Sequence, residues 1–169
     1  MNPVRRKITA VYQKLLTAAD DFYGHDPQAP TIYQDRIGSA NIALLIQGDV
    51  GRQVLRQFIN LPFNHLVVAG LTTADSHYLG KLKERMTSSE RLSLIDASFE
   101  DISLGFMLSR AQLVVFASSR PFPQTARMLN QASIHTGTPW LHSHLWGINF
   151  VLGPTFMPGI TACYECYQR

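Results

Sequence analysis

The chain has 169 residues, 46% of them hydrophobic, enough for one sizeable core and too few for two domains of ordinary size. Fifteen Lys plus Arg against twelve Asp plus Glu give a net charge of +3, and apart from Arg5-Arg6-Lys7 and the run of Lys81, Lys83 and Arg85 the cations are dispersed, so nucleic acid is not an expected partner. No stretch approaches the roughly 18 consecutive apolar residues that cross a bilayer, and no apolar block marks a signal peptide. The expectation is a cytoplasmic protein without a membrane partner.

Val4, Ile8, Val11, Tyr12, Leu15, Leu16 and Ala19 recur at helical spacing and predict an amphipathic helix over residues 3–23, closed by Gly24, Pro27 and Pro30. Residues 1–40 thus read as an amino-terminal helix and linker, and 41–169 as the domain proper. From Asn41 onward, short apolar runs alternate with helical patterns. Strands are predicted at 42–46, 66–69, 92–95, 113–117 and 140–145, with helices at 51–60, 74–85, 101–110 and 123–136 between them. Alternating β and α predicts an α/β fold, a doubly wound and mostly parallel Rossmann-like sheet with strand centres at Leu44, Val67, Val115 and Leu141. The strand runs are continuously apolar because parallel strands are buried on both faces. Residues 148–156 repeat the strand pattern without a following helix, which predicts antiparallel pairing.

The first βα turn reads Ile46-Gln47-Gly48-Asp49-Val50-Gly51-Arg52. It stands where a Rossmann phosphate loop belongs, but Ile46 fills the place of the first glycine of Gly-x-Gly-x-x-Gly. Gly48 and Gly51 therefore read either as a phosphate cradle at a helix amino terminus or as a plain strand-to-helix turn. The second strand should end in a carboxylate for a ribose hydroxyl, yet it runs Val67-Val68-Ala69-Gly70-Leu71. Asp75 stands beyond that tip, where helix capping explains it.

Both cysteines, Cys163 and Cys166, form one Cys-x-x-Cys, the spacing of a metal or redox pair and unlike a dispersed disulfide framework. Structural zinc needs four ligands, so free thiols or a disulfide stay open beside zinc. His142 and His144 alternate along a strand and face one side, as metal ligands or as hydrogen-bonded histidines. No Gly-x-Ser-x-Gly elbow and no carboxylate pair with acid/base spacing occurs, so no independent catalytic centre is expected.

The segment from Gly153-Pro154-Thr155-Phe156-Met157-Pro158-Gly159 to Cys163-Tyr164-Glu165-Cys166 resembles the approach to the zinc-binding Cys-x-x-Cys of the ThiF-type, ubiquitin-activating-like adenylating family. Residues 33–51 resemble that family's opening, and Arg127-Met128-Leu129-Asn130 its Arg-x-x-Asn helix. The Gly48-to-Arg52 loop together with the Pro-Gly-x-x-Ala-Cys-Tyr-x-Cys ending is similar to the bacterial subgroup that accompanies YcaO proteins in making thiazole and oxazole rings in ribosomal peptides. The resemblance implies a nucleotide site that includes Gly48, Gly51, Arg127 and Asn130, a structural zinc on Cys163 and Cys166, and an acidic magnesium ligand at the tip of the fourth strand. That tip reads Ala117-Ser118-Ser119-Arg120, so the site is expected to be degenerate and ATP is not an expected cofactor. The family's second cysteine pair would fall beyond Arg169, so the domain reads as incomplete at its carboxy terminus. The implied function is a partner protein that binds a precursor peptide, a YcaO-type cyclodehydratase or both, with a second copy of the chain as a further candidate partner. The alternatives are an active ATP-dependent adenylating enzyme or a divergent NAD(P)-binding oxidoreductase.

Overall fold

The computed structural model describes residues 35–85, 91–95 and 104–169, so the predicted helix over 3–23 and its linker lie outside the described residues. The five apolar residues Ile42 to Ile46 are all buried and form the centre of β1, Asn41–Gln47. Their lack of alternation follows from position, because β1 has a strand on each side and helices on both faces. The chain continues through α1 (Gly48–Phe58), β2 (His65–Gly70), α2 (Thr73–Arg85), β3 (Leu92–Ile95), α3 (Leu104–Ser109), β4 (Leu113–Ser118), α4 (Pro123–Thr136), β5 (Trp140–Trp146), β6 (Asn149–Phe156) and α5 (Tyr164–Tyr167).

The sheet has six strands in the order β3-β2-β1-β4-β5-β6. The first five run parallel, with Leu44 opposite Val68 and Val115, and Val115 opposite Leu141. All four predicted strand centres lie in these parallel strands. β6 pairs antiparallel with β5, as the missing helix after residue 156 predicts. The direction of winding reverses between β1 and β4, and the crevice beyond their carboxyl ends is where open α/β sheets bind ligands.

Side chains alternate between two cores. Ile42, Leu44, Ile46, Leu55, Val68 and Leu79 pack beneath α1 and α2. Leu45, Met107, Phe116, Leu129, Trp140 and Phe156 pack against α3, α4 and α5 on the other face. α4 starts with Pro at its first turn and ends at Gly137, whose φ of 73° is the left-handed cap that glycine adopts without strain. α1 begins at Gly48, three residues ahead of the predicted start at Gly51, and Gly48, at φ 63°, makes the turn out of the extended Gln47. Among the described residues no helix is long and apolar enough to cross a membrane.

Candidate functional site

The crevice between β1 and β4 is closed by the chain's own side chains. The first amides of a helix have no intrahelical acceptor and attract anions. In α1 the Gly48 N–H donates to Asp75 Oδ1 at 3.1 Å, and the Val50 N–H donates to Ser119 Oγ at 3.1 Å. Ser119 is held in turn by its own N–H, which donates to the backbone oxygen and to the side-chain oxygen of Gln47, each at 3.0 Å. A Cβ on Gly48 would lie 2.5 Å from Ser119 Oγ, so the glycine is needed for this closure. Gly51 is needed for packing, since its Cβ would stand 2.8 Å from the Ala117 carbonyl oxygen and from Ile46 Cβ. Ile46, in the place of the missing first glycine, is a fully buried core residue.

Asp75 does more than begin α2. Thr72 Oγ1 donates to Asp75 Oδ2 at 2.6 Å at that helix start, which is the capping role the sequence suggests. The other carboxylate oxygen turns to the Gly48 amide and to Arg52 Nη2, 3.0 Å away. The Asp75 side chain is 1% exposed, so charge and amide are joined out of solvent. Gly70 makes the approach feasible, because a Cβ there would come within 2.7 Å of the Ser76 amide. Arg52 also reaches the exposed Asp49 at 3.5 Å and lies 5.2 Å from the Tyr78 ring centroid. The β4 tip supplies only hydroxyls, with Ser118 fully buried, and the Arg120 guanidinium rests 4.9 Å from the Phe122 ring centroid.

Of the residues expected to share one nucleotide site, Gly48 and Gly51 meet Asp75, Ser119 and Ala117, whereas Arg127 and Asn130 on α4 meet the carboxy-terminal segment. Arg127 Nε pairs with Glu165 Oε1 at 3.3 Å. The buried Asn130 Oδ1 accepts the Tyr164 N–H at 3.0 Å and so holds the start of α5, a four-residue helix that the sequence did not announce. Cys163 stands at the N-cap position of that helix, and its sulfur lies 3.5 Å from that of Cys166. Hydrogen bonding from the Cys166 backbone and then its side chain holds the Cys163 thiol below its ordinary pKa and favours thiolate. Two sulfurs bound tetrahedrally at 2.3 Å from one zinc would sit roughly 3.8 Å apart, so the pair fits half of a structural site. Among the described residues no group of three or more His, Cys, Asp and Glu forms a complete one.

His142 and His144 face one side of β5, as their spacing predicts, with ring centroids 4.3 Å apart. His142 also stacks on Phe116 at 4.7 Å. Burial, and then the neighbouring His144, push the His142 pKa down to about 4; burial lowers that of His144 as well. His142 Nε2 and His144 Nδ1 are buried without a hydrogen-bond partner in the structure.

The sheet, five parallel strands with an antiparallel sixth, is Rossmann-like, a fold it shares with ThiF-like proteins. Solved structures share it at low identity. PaaA superposes with a TM-score of 0.66 and 12% identity over 98% of this chain and 55% of its own. MccB of E. coli with succinimide gives 0.60 and 18% over 82% of this chain and 47% of its own. MccB, described as a microcin C7 biosynthetic enzyme, in complex with N-formylated MccA gives 0.57 and 18% over 83% and 46%. This chain therefore spans about half the length of the structures it resembles. No family profile and no curated protein matches the sequence.

Proposed function

We propose that the chain is a nucleotide-degenerate, ThiF-like partner protein in the maturation of ribosomally made, azole-modified peptides, engaging a precursor peptide and a YcaO-type cyclodehydratase. The observation that carries this reading is the self-filled cradle. Two of the α1 amides that would meet a phosphate, those of Gly48 and Val50, are bonded to the Asp75 carboxylate and the Ser119 hydroxyl. A phosphate at the same amides would have to displace a buried carboxylate already paired with Arg52, and would meet its charge at close range. The hydroxyl-only β4 tip is a poor magnesium ligand set. The peptide half of the proposal draws on MccB, which has the same fold and was solved with the peptide MccA. Cys163 and Cys166 would hold a structural zinc together with ligands from elsewhere, and that metal would order the carboxy-terminal segment without taking part in chemistry.

MccB was also solved with ATP, which keeps an active adenylating enzyme as the second reading. Calorimetric titration of the chain with ATP and Mg²⁺, and then with NAD, separates the two. The expected result is no saturable heat with either, and no ATP-pyrophosphate exchange. Co-purification with a YcaO-type enzyme and its precursor peptide is the matching positive test. Robust exchange that depends on Gly48 would replace the proposal with the enzyme reading.

A further inference from the structure

A second concavity lies at the other end of the sheet, by the amino ends of β1, β2 and β3. Its volume is about 880 Å³, within the roughly 300–1,000 Å³ of small-molecule pockets. The floor is apolar and includes Val67, Ile95 and Met107, with Phe106 at the side, 58% exposed. Val67 is informative because β2 is hydrogen-bonded on both sides, a place where a doubly wound sheet normally covers its side chains, yet this valine is only half-buried. The rim is polar and cationic. Arg91 precedes β3 and Arg110 follows α3, and His65 Nε2 lies 3.0 Å from Ser93 Oγ on the same rim.

Among the described residues no Asp or Glu lines this cleft, and neither guanidinium has a carboxylate partner. The Arg110 guanidinium carbon stands 4.5 Å from the Phe106 ring centroid, which places the charge beside the apolar floor. Two exposed cations at the rim of an apolar floor complement a ligand with an anionic head and an apolar body. The volume admits a body of several carbons. We infer that this cleft binds a small amphiphilic anion, an organic carboxylate or a phosphate monoester, with its head on Arg91 and Arg110 and its body over Val67, Ile95 and Met107. This site stands apart from the Gly48 loop, since the seven residues of β1 separate them by roughly 20 Å, and it does not depend on the proposed function.

The test is fluorescence titration of the full chain with 8-anilinonaphthalene-1-sulfonate, followed by displacement with octanoate and with octyl phosphate. Acetate, inorganic phosphate and octanol are the controls. One saturable site per chain is expected, displaced by octanoate or octyl phosphate far better than by any control, and the better competitor identifies the head group. Both arginines are exposed, so Arg91→Gln and Arg110→Gln should fold normally. Together they should weaken displacement roughly tenfold or more, and added salt should weaken it as well. Failure of both anions to displace the dye, equal displacement by octanol, or an unchanged double variant would overturn the inference. Displacement by an acidic peptide and by neither small anion would assign the cleft to a peptide and overturn it equally.

Discussion

Asp75 decides the character of the crevice. Its carboxylate is buried and joined to Gly48, Thr72 and Arg52, so removing it leaves an orphaned amide and a partly buried guanidinium without its partner. Asp75→Ala is expected to cost about 2–3 kcal/mol in urea unfolding. Asp49→Ala is expected to stay within about 0.5 kcal/mol, because the Asp49 side chain is 94% exposed and its contact with Arg52 is screened. His142 sets a pH dependence through burial of its neutral ring. Its pKa of about 4 in the fold lies below the ordinary 6.5, so the unfolded chain binds the extra proton first. Stability is then full above pH 6.5 and is lost as pH falls towards 4, by on the order of 3 kcal/mol at the limit. His144 shifts in the same direction and steepens the slope. His142→Gln should flatten it in unfolding curves taken across this range; an unchanged slope would refute the assignment. At this scale the sequence is least legible. Gly48, Gly51 and the cysteines announce themselves by spacing, but the Asp75 contact spans 27 residues and the Ser119 contact 69, and neither leaves a local pattern.

Elements are more legible than side-chain contacts, because burial on both faces writes itself into unbroken apolar runs. Leu44, Val67, Val115 and Leu141 could be placed in parallel strands on that basis alone, and the antiparallel β6 followed from the absence of a helix after it. The four-residue α5 could not, since so short a helix has no period to read. It is held by tertiary contacts, the Tyr164 amide bonded to the buried Asn130 and the Tyr164 ring packed beside Trp140 and Phe156. Asn130→Ala should cost about 1–3 kcal/mol and speed amide exchange at Tyr164. Alkylation of Cys163 and Cys166 should accelerate in the same variant. Arg127→Ala, which breaks only the exposed pair with Glu165, should change stability by less than about 0.5 kcal/mol and leave the exchange rate alone. Equal effects of the two substitutions would remove Asn130 from its role as the anchor of this segment.

Zinc occupancy is a property of the whole molecule, because a tetrahedral site draws its ligands from distant parts of a chain. With two thiols in place and no further ligand grouped with them among the described residues, zinc is expected to fall well below one per chain after dialysis against a mild chelator. Metal analysis of the dialysed chain and of Cys163→Ser checks this. Stoichiometric zinc in the first and none in the second would mean that the site is complete within these 169 residues. Exposed apolar side chains gather along the β5–β6 hairpin, where Trp146 at the end of β5, Ile148 in the turn, and Phe150 and Leu152 on β6 are all more than half exposed.

The ion pair inside the crevice also constrains the paths open to this sequence under mutation. Losing Asp75 alone strands Arg52, whose Nε is already buried without a partner, and losing Arg52 alone strands a carboxylate in the interior. Each single loss is therefore expected to leave the protein less stable than the parent, and the two losses together to cost less than the sum of the single ones.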